Sequence, residues 1–146
     1  MSREPFVVAS NHYPRPLQVV GEHITVLASG AETGGYEIFV QTGMEGSGPP
    51  PHSHPWDESF YILAGVVTFG IGADTCNASP GTLLHFPAGT THWFHFGAGG
   101  GKMLSMTSGA GAAKMFADID REISPGSPDL RKLIEVGSRH HLSISV

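Results

Sequence analysis

The sequence predicts an all-β domain, a double-sheet sandwich or barrel, closed by two short helices at its C-terminal end. Three observations carry that prediction. Apolar and β-branched residues fall into short runs at even spacing, the mark of many short strands. The 146 residues include 20 glycines and 11 prolines, which supply tight turns between such strands. No pattern of helical period occurs before residue 110, and one follows it.

Residues 1–20 hold Pro5, Pro14 and Pro16 and read as an extended arm, with an edge strand expected at 6–9. The stretch GEHITVLASG (21–30) alternates and is β-branched, so it forms a strand. ETGG turns the chain, and YEIFVQTG (36–43) returns as the second strand of a hairpin. MEGSGPPP is a loop that stiffens toward its prolines. SFYILAG (59–65), VVTFGIG (66–72) and DTCNA (74–78) are short strands separated by glycine. PGTLLHFPAG (80–89) holds a strand between two turns, THWFHFG (91–97) is another, and GKMLSMTSG (101–109) closes the series. These strands make residues 21–109 the barrel domain, with residues 110–146 as a helical appendix packed on it.

In the appendix, Met115, Phe116, Ile119 and Ile123 recur at helical spacing over residues 112–123. SPGSPD ends that helix. Ser127 is the expected cap of a second one, with Pro128 in its first turn, Gly137 at its end, and Leu130, Leu133, Ile134 and Val136 toward the core. HLSISV reads as a final strand.

Composition removes several function classes. The formal charge is −5 and no basic run occurs, which argues against nucleic acid as a partner. Apolar stretches are interrupted before they could span a bilayer, so no membrane role is expected. MSREPFVV begins with charge and proline where a secretion signal needs apolar residues, and Cys76 is the single cysteine. A cytoplasmic protein without disulfides is expected, with Cys76 as a small buried or half-buried filler.

The nine histidines are the chemical signal in a chain with only 14% charged residues. In PPPHSHPWDE (49–58), His52 and His54 are two apart, and side chains two apart on a strand share a face. They lie about 7 Å apart along the backbone, near enough to share one ion. The prolines keep the backbone extended before the pair, so less entropy is lost on binding. Glu58 has the same parity and can join them past Pro55. A second segment, after the PAG turn, offers His92. The His-x-His pair alone is as compatible with loop histidines on the surface. With Glu58 and His92 the set becomes three imidazoles and one carboxylate. Such a set suits one divalent transition metal (Fe, Mn, Ni, Co, Cu or Zn) rather than Mg or Ca, and leaves room for water, O2 or substrate. The absence of clustered cysteines argues against structural zinc or iron–sulfur sites.

Two motifs now carry a family resemblance. Gly46, five residues, His52-Ser53-His54, three residues, Glu58, six residues and Gly65 resemble the first cupin motif. Gly81, five residues, Pro87-Ala88-Gly89, two residues and His92 are similar to the second. Residues 21–109 resemble small single-domain cupins of the quercetin-dioxygenase-like group. The resemblance implies a double-stranded β-helix, the cupin jelly-roll barrel, with metal held by His52, His54, Glu58 and His92 in its mouth. The second motif ordinarily ends in Asn, where this chain has Phe96. A more apolar inner wall is the expected result.

Strand parity puts His92, Phe94 and Phe96 on one face, Trp93 and His95 on the other, and Phe60 and Ile62 on the side of Glu58. Phe60, Phe94 and Phe96 then suit a flat, apolar or aromatic ligand, although each is also an ordinary core residue. Trp56 is expected at the pocket rim or simply over the barrel end. His85 and His95 are candidates for supporting roles, while His12, His23, His140 and His141 are expected on the surface. No Lys or Arg lies near either motif, which weakens a phosphosugar reading.

Three functions follow. The first is a dioxygenase acting on a flavonol-like, catechol-like or enolisable small molecule, with Glu58 as ligand and general base, the only acid inside the site. The second is a metal-assisted isomerase, cyclase or decarboxylase of a polyketide-like molecule. The third is a small-molecule-binding barrel without turnover. Tyr61, Leu63, Trp93 and Tyr36 leave apolar surface on the outer faces. The helix at 112–123 is expected to cover part of it, and a homodimer the rest.

Overall fold

Alternation converts directly into two-layered burial in the computed structural model, which describes residues 3–145. Met1, Ser2 and Val146, the outermost residues of the expected arm and final strand, lie outside the described residues. The strands are β1 (Leu17–Val19), β2 (Glu22–Ala28), β3 (Tyr36–Gly43), β4 (His52–Ser53), β5 (Glu58–Ala64), β6 (Val67–Ile71), β7 (Asp74–Ala78), β8 (Leu83–Phe86), β9 (His92–Phe96), β10 (Gly101–Ser108) and β11 (Ser143–Ile144). Among the described residues three α-helices accompany them, α1 (Gly30–Thr33), α2 (Gly111–Glu122) and α3 (Leu130–Ser138), with a short 3-10 helix at Ser10–His12.

One sheet runs β1-β2-β3-β10-β5-β8 and the other β11-β4-β9-β6-β7, with every pairing antiparallel. Together they form the jelly-roll architecture. Inner-face residues of β5, β6, β8, β9 and β10 build one apolar core, centred on Phe60, Phe69, Phe86, Phe94 and Phe96. Phe96 fits because its ring lies against two glycines paired across β3 and β10. A Cβ on Gly43 would lie 2.3 Å from that ring, and one on Gly101 2.9 Å. The substitution of Phe for the motif Asn thus comes with a matching recess.

A second core joins the barrel to the helices. Val19, Ile24, Phe39 and Trp56 pack against Met115, Phe116 and Ile119 of α2 and Leu133 and Val136 of α3. Phe39 meets Phe116 edge to face with centroids 5.2 Å apart. The helices therefore close the mouth of the barrel, and do not cover the outer faces as expected, because their apolar stripe matches the inner ends of β1 to β3. Polar ties hold the arrangement. Gln18 N–H donates to Asp120, Arg139 pairs with Glu122 at 2.7 Å, and His140 Nε2 lies 2.7 Å from Asp118. His140 is thus a half-buried partner of α2 and not a plain surface residue.

Several local expectations change. Residues 6–9 form no strand, and the arm pairs through β1 instead, where Leu17 faces Ile24. A helical turn does precede residue 110: Ser29 and Glu32 make a reciprocal capping box that starts α1. In α3 the cap is Asp129, whose carboxylate accepts from Arg131 and Lys132 N–H, so Ser127 and Pro128 lie outside and Gly137 lies within the helix. Leu130 and Ile134 are exposed while Leu133 and Val136 are buried. Cys76 is exposed, on the edge strand β7.

Candidate metal centre

Each motif histidine is oriented by a backbone carbonyl two residues away. His52 Nδ1 lies 2.8 Å from Pro50 O, His54 Nδ1 3.0 Å from Trp56 O, and His92 Nδ1 2.9 Å from Thr90 O. A carbonyl oxygen only accepts, so each Nδ1 carries the hydrogen and each Nε2 offers a lone pair. The proline run supplies one of these carbonyls as well as an extended lead-in. β4 pairs with β9 so that His52 stands opposite His92. The second motif's turn is tied to the first where Gly89, at a positive φ of 84°, donates its N–H to His54 O at 2.9 Å.

Stacking fixes the rings further. Trp56 lies flat on His54 at 4.5 Å and 10°, and Phe86 on His92 at 4.6 Å and 7°. Glu58 opens β5 and directs Oε1 at His54 Nε2 (3.1 Å) and His92 Nε2 (3.2 Å). All four residues are buried, and one ligand atom from each lies within 4.8 Å of the others.

These donors fit a divalent cation. Ligands about 2.1 Å from an ion and at right angles to one another lie about 3.0 Å apart. The two separations at Glu58 are of that size. Neutral Nε2 and carboxylate oxygen are both electron-rich, so holding them this close requires a cation between them or a proton on Nε2. Burial pushes the Glu58 carboxyl upward, but the hydrogen-bonding rings of His54 and His92 outweigh it and hold it at about 2. Burial and the neighbouring His92 push His52 down to about 4, which favours the neutral, ligating form.

His52, His54 and Glu58 open onto a cavity of about 60 Å³, walled mainly by apolar side chains including Ile24, Trp56, Phe94, Met115 and Phe116. By volume it holds about four to six water-sized spheres. Of the aromatic residues expected at the ligand, Trp56 and Phe94 line this space. Phe60 and Phe96 do not; they sit in the barrel core, Phe60 with its centroid 5.3 Å from both Phe69 and Phe94. Parity put them on the correct face, but it does not specify depth along the barrel. His85 is exposed beside Ser59 Oγ, and His95 stacks on Trp93 on the outer face.

One acidic residue in the cavity escaped the sequence reading, which had Glu58 alone inside. Glu22 is 3% exposed, lines the cavity, and accepts from Gln41 Nε2 at 2.9 Å. Burial pushes its carboxyl well above the usual range, and Gln41 opposes this only in part. The available signal was its parity with Ile24, which put a carboxyl on an inward face.

Residues 39–106 match the family described as Cupin domain. An RmlC-like cupin from Shewanella frigidimarina NCIMB 400 superposes with a TM-score of 0.65 at 13% identity, covering 78% of this chain and 99% of that one. Residues 39–106 of this chain are thus a cupin domain. The polyketide cyclase RemF from Streptomyces resistomycificus shares the cupin fold with a TM-score of 0.63 at 18% identity, over 72% of this chain and 80% of its own. A quercetin 2,3-dioxygenase of Bacillus subtilis (strain 168) is 28% identical over 103 residues, 70% of this cupin. The chain spans 31% of that relative's length. Among the described residues, no helix of this cupin is long and apolar enough to cross a membrane.

Proposed function

We propose that this cupin is a metal-dependent dioxygenase of a small, largely apolar, enolisable molecule. One observation carries the reading: three imidazole Nε2 atoms and a carboxylate converge beside a mostly apolar cavity. His52, His54, Glu58 and His92 would hold the ion. When bound, a divalent transition metal there supplies Lewis acidity toward a substrate oxygen and, if redox-active, access to O2. The remaining work belongs to the chain. Glu58 Oε2, the oxygen that the two imidazoles do not engage, takes the proton of the enolising substrate. Trp56 and Phe94 orient an apolar body, and α2 and α3 keep bulk water from the site.

The likeness to a quercetin dioxygenase supports oxygen chemistry, and the cavity narrows the substrate. The enclosed space beside the cluster is small, about 60 Å³, which favours a small head group. A larger molecule would have to cross Val20, Pro50, Ile119 and Leu133 into the adjoining groove of about 250 Å³, which those residues also line. A β-diketone-sized head is the better match.

The test is O2 uptake by protein loaded in turn with Fe, Mn, Ni, Co, Cu and Zn, given acetylacetone, catechol or quercetin. Uptake with a redox-active ion and the smallest substrate is expected. Substrate conversion without O2 would replace the reading by metal-assisted isomerisation, cyclisation or decarboxylation. Binding without conversion of any substrate would leave a ligand-binding barrel. The same proposal takes two copies into a homodimer through the outer face of the six-stranded sheet, in the cytoplasm, where the free Cys76 is stable as a thiol.

A further inference from the structure

The cavity has polar groups that metal binding leaves unused. Glu22 on β2 and Gln41 on β3 are each 3% exposed and both line it. Gln41 Nε2 donates to Glu22 Oε1 at 2.9 Å, and Gln41 Oε1 has no partner. Turning the carboxamide over would let Oε1 accept from a protonated Glu22 and would leave Nε2 over instead. In either orientation one buried amide atom is left unpaired, which is unfavourable. A hydroxyl group answers both cases, because it donates and accepts. Trp56, on the same cavity, adds an indole N–H that also has no partner. No Lys or Arg lines the cavity, so an anionic group would meet no counter-charge there.

We propose that Glu22 and Gln41 form a subsite for a neutral hydroxyl group of the substrate, separate from the His–Glu cluster. The subsite rests on the reading of that cluster as the metal end of the cavity. It narrows the ligand to a small, otherwise apolar molecule that carries a hydroxyl in addition to the oxygen facing the metal. The two residues come from adjacent strands of one hairpin, where Ile24 stands opposite Gln41, so the pairing that builds the sheet also brings them together.

Hydroxyacetone and butanone make a matched pair of probes, equal in size and differing by a hydroxyl in place of a methyl group. Zinc-loaded protein is titrated with each and followed by NMR, and zinc content is measured on the same samples. Hydroxyacetone is expected to bind about tenfold more tightly than butanone, the effect of one well-made buried hydrogen bond. In the Glu22→Leu/Gln41→Leu double variant, which leaves neither partner orphaned, the ratio should fall to about one with zinc content unchanged. Gln41→Met gives the same reading if the double variant does not fold. Equal binding by the wild type, or a tenfold ratio that survives in the variants, overturns the subsite. Failure of the wild type to take up zinc overturns the metal reading instead, and the probe ratio still reports on Glu22 and Gln41.

Discussion

Phe86 lies parallel to the His92 imidazole, with centroids 4.6 Å apart and planes 7° from coincidence. The contact joins the apolar core to the metal cluster: Phe86 is 2% exposed, and its own backbone partner across the sheet is Glu58. One side chain thus braces a histidine while its strand braces the carboxylate. Phe86→Leu keeps a buried apolar group but releases the ring face of His92. Metal affinity is expected to fall about tenfold, the scale on which supporting residues act at metal sites. Competition with a chromophoric chelator measures it, and unchanged affinity would show that the Thr90 carbonyl alone orients His92.

Removal of a ligand should be more severe. His54→Ala and Glu58→Gln are each expected to lower metal affinity by about a hundredfold or more, with the strand spectrum retained. Elemental analysis of protein purified without a metal-affinity tag reads this directly. The appropriate control is His23→Ala, on the outer face of β2, because His140 is committed to Asp118 and its loss should loosen α3. Full occupancy in both ligand variants would mean that the cluster is not the binding site.

The four cluster residues were legible because they are encoded locally, as two motifs with set spacing, and because side chains two apart on a strand share a face. The barrel strands were legible for the same reason. What local pattern did not reveal depends on contacts distant in sequence. Nothing in residues 111–122 indicates that α2 closes the mouth; that follows from the shape of the open end and from Glu37, 76 positions before its partner Ala113. Phe60 and Phe96 had the right face and the wrong depth. Glu22 and Gln41 are 19 positions apart, and only the pairing of β2 with β3 brings them together. The α1 turn, by contrast, was written in the Ser29–Glu32 capping box and could have been read.

Glu37 provides a stability test. Its carboxylate is 1% exposed and accepts from Gly30 N–H and Ala113 N–H, each at 2.9 Å, so one side chain anchors both α1 and α2. Glu37→Ala strands one buried and one part-buried N–H group. A loss of about 3 kcal/mol is expected from urea denaturation, given about 1.5–3 kcal/mol for each hydrogen bond to a charged group. Proteolysis should then cut first within α2. A loss below about 1 kcal/mol would mean that apolar packing of Phe116 and Ile119 holds the helix unaided.

The proposed homodimer makes a prediction at Tyr61 and Leu83. They face each other across β5 and β8 on the outer face, 43% and 65% exposed, and Leu104 continues the row on β10 opposite Tyr61. Leu83→Lys would place a charge in this apolar row. Wild type should sediment as a dimer and the variant as a monomer with an unchanged far-UV spectrum. A monomeric wild type at tens of micromolar would end the proposal.

The last prediction concerns pH and the metal-free protein. His52 drops from an ordinary value of 6.5 to about 4 on folding. Between those values the unfolded chain holds a proton that the folded chain lacks, so this residue makes stability fall as pH drops from 6.5 to 4, by about 3 kcal/mol in all. Glu22 works in the opposite direction. Its raised value means that the folded chain keeps a proton that the unfolded chain releases above 4.5, so its contribution is lost as pH rises. Where the windows overlap, above 4.5, the two oppose each other, so wild-type stability should change less with pH there than His52 alone dictates. Glu22→Gln removes one side of the balance, and its stability should climb by about 1.4 kcal/mol per pH unit across the overlap. Urea midpoints at pH 4.8, 5.5 and 6.2, chosen as about evenly spaced points within that overlap, distinguish the two slopes. Parallel profiles for wild type and variant would mean that Glu22 ionises as an ordinary surface carboxylate, against its burial beside Gln41.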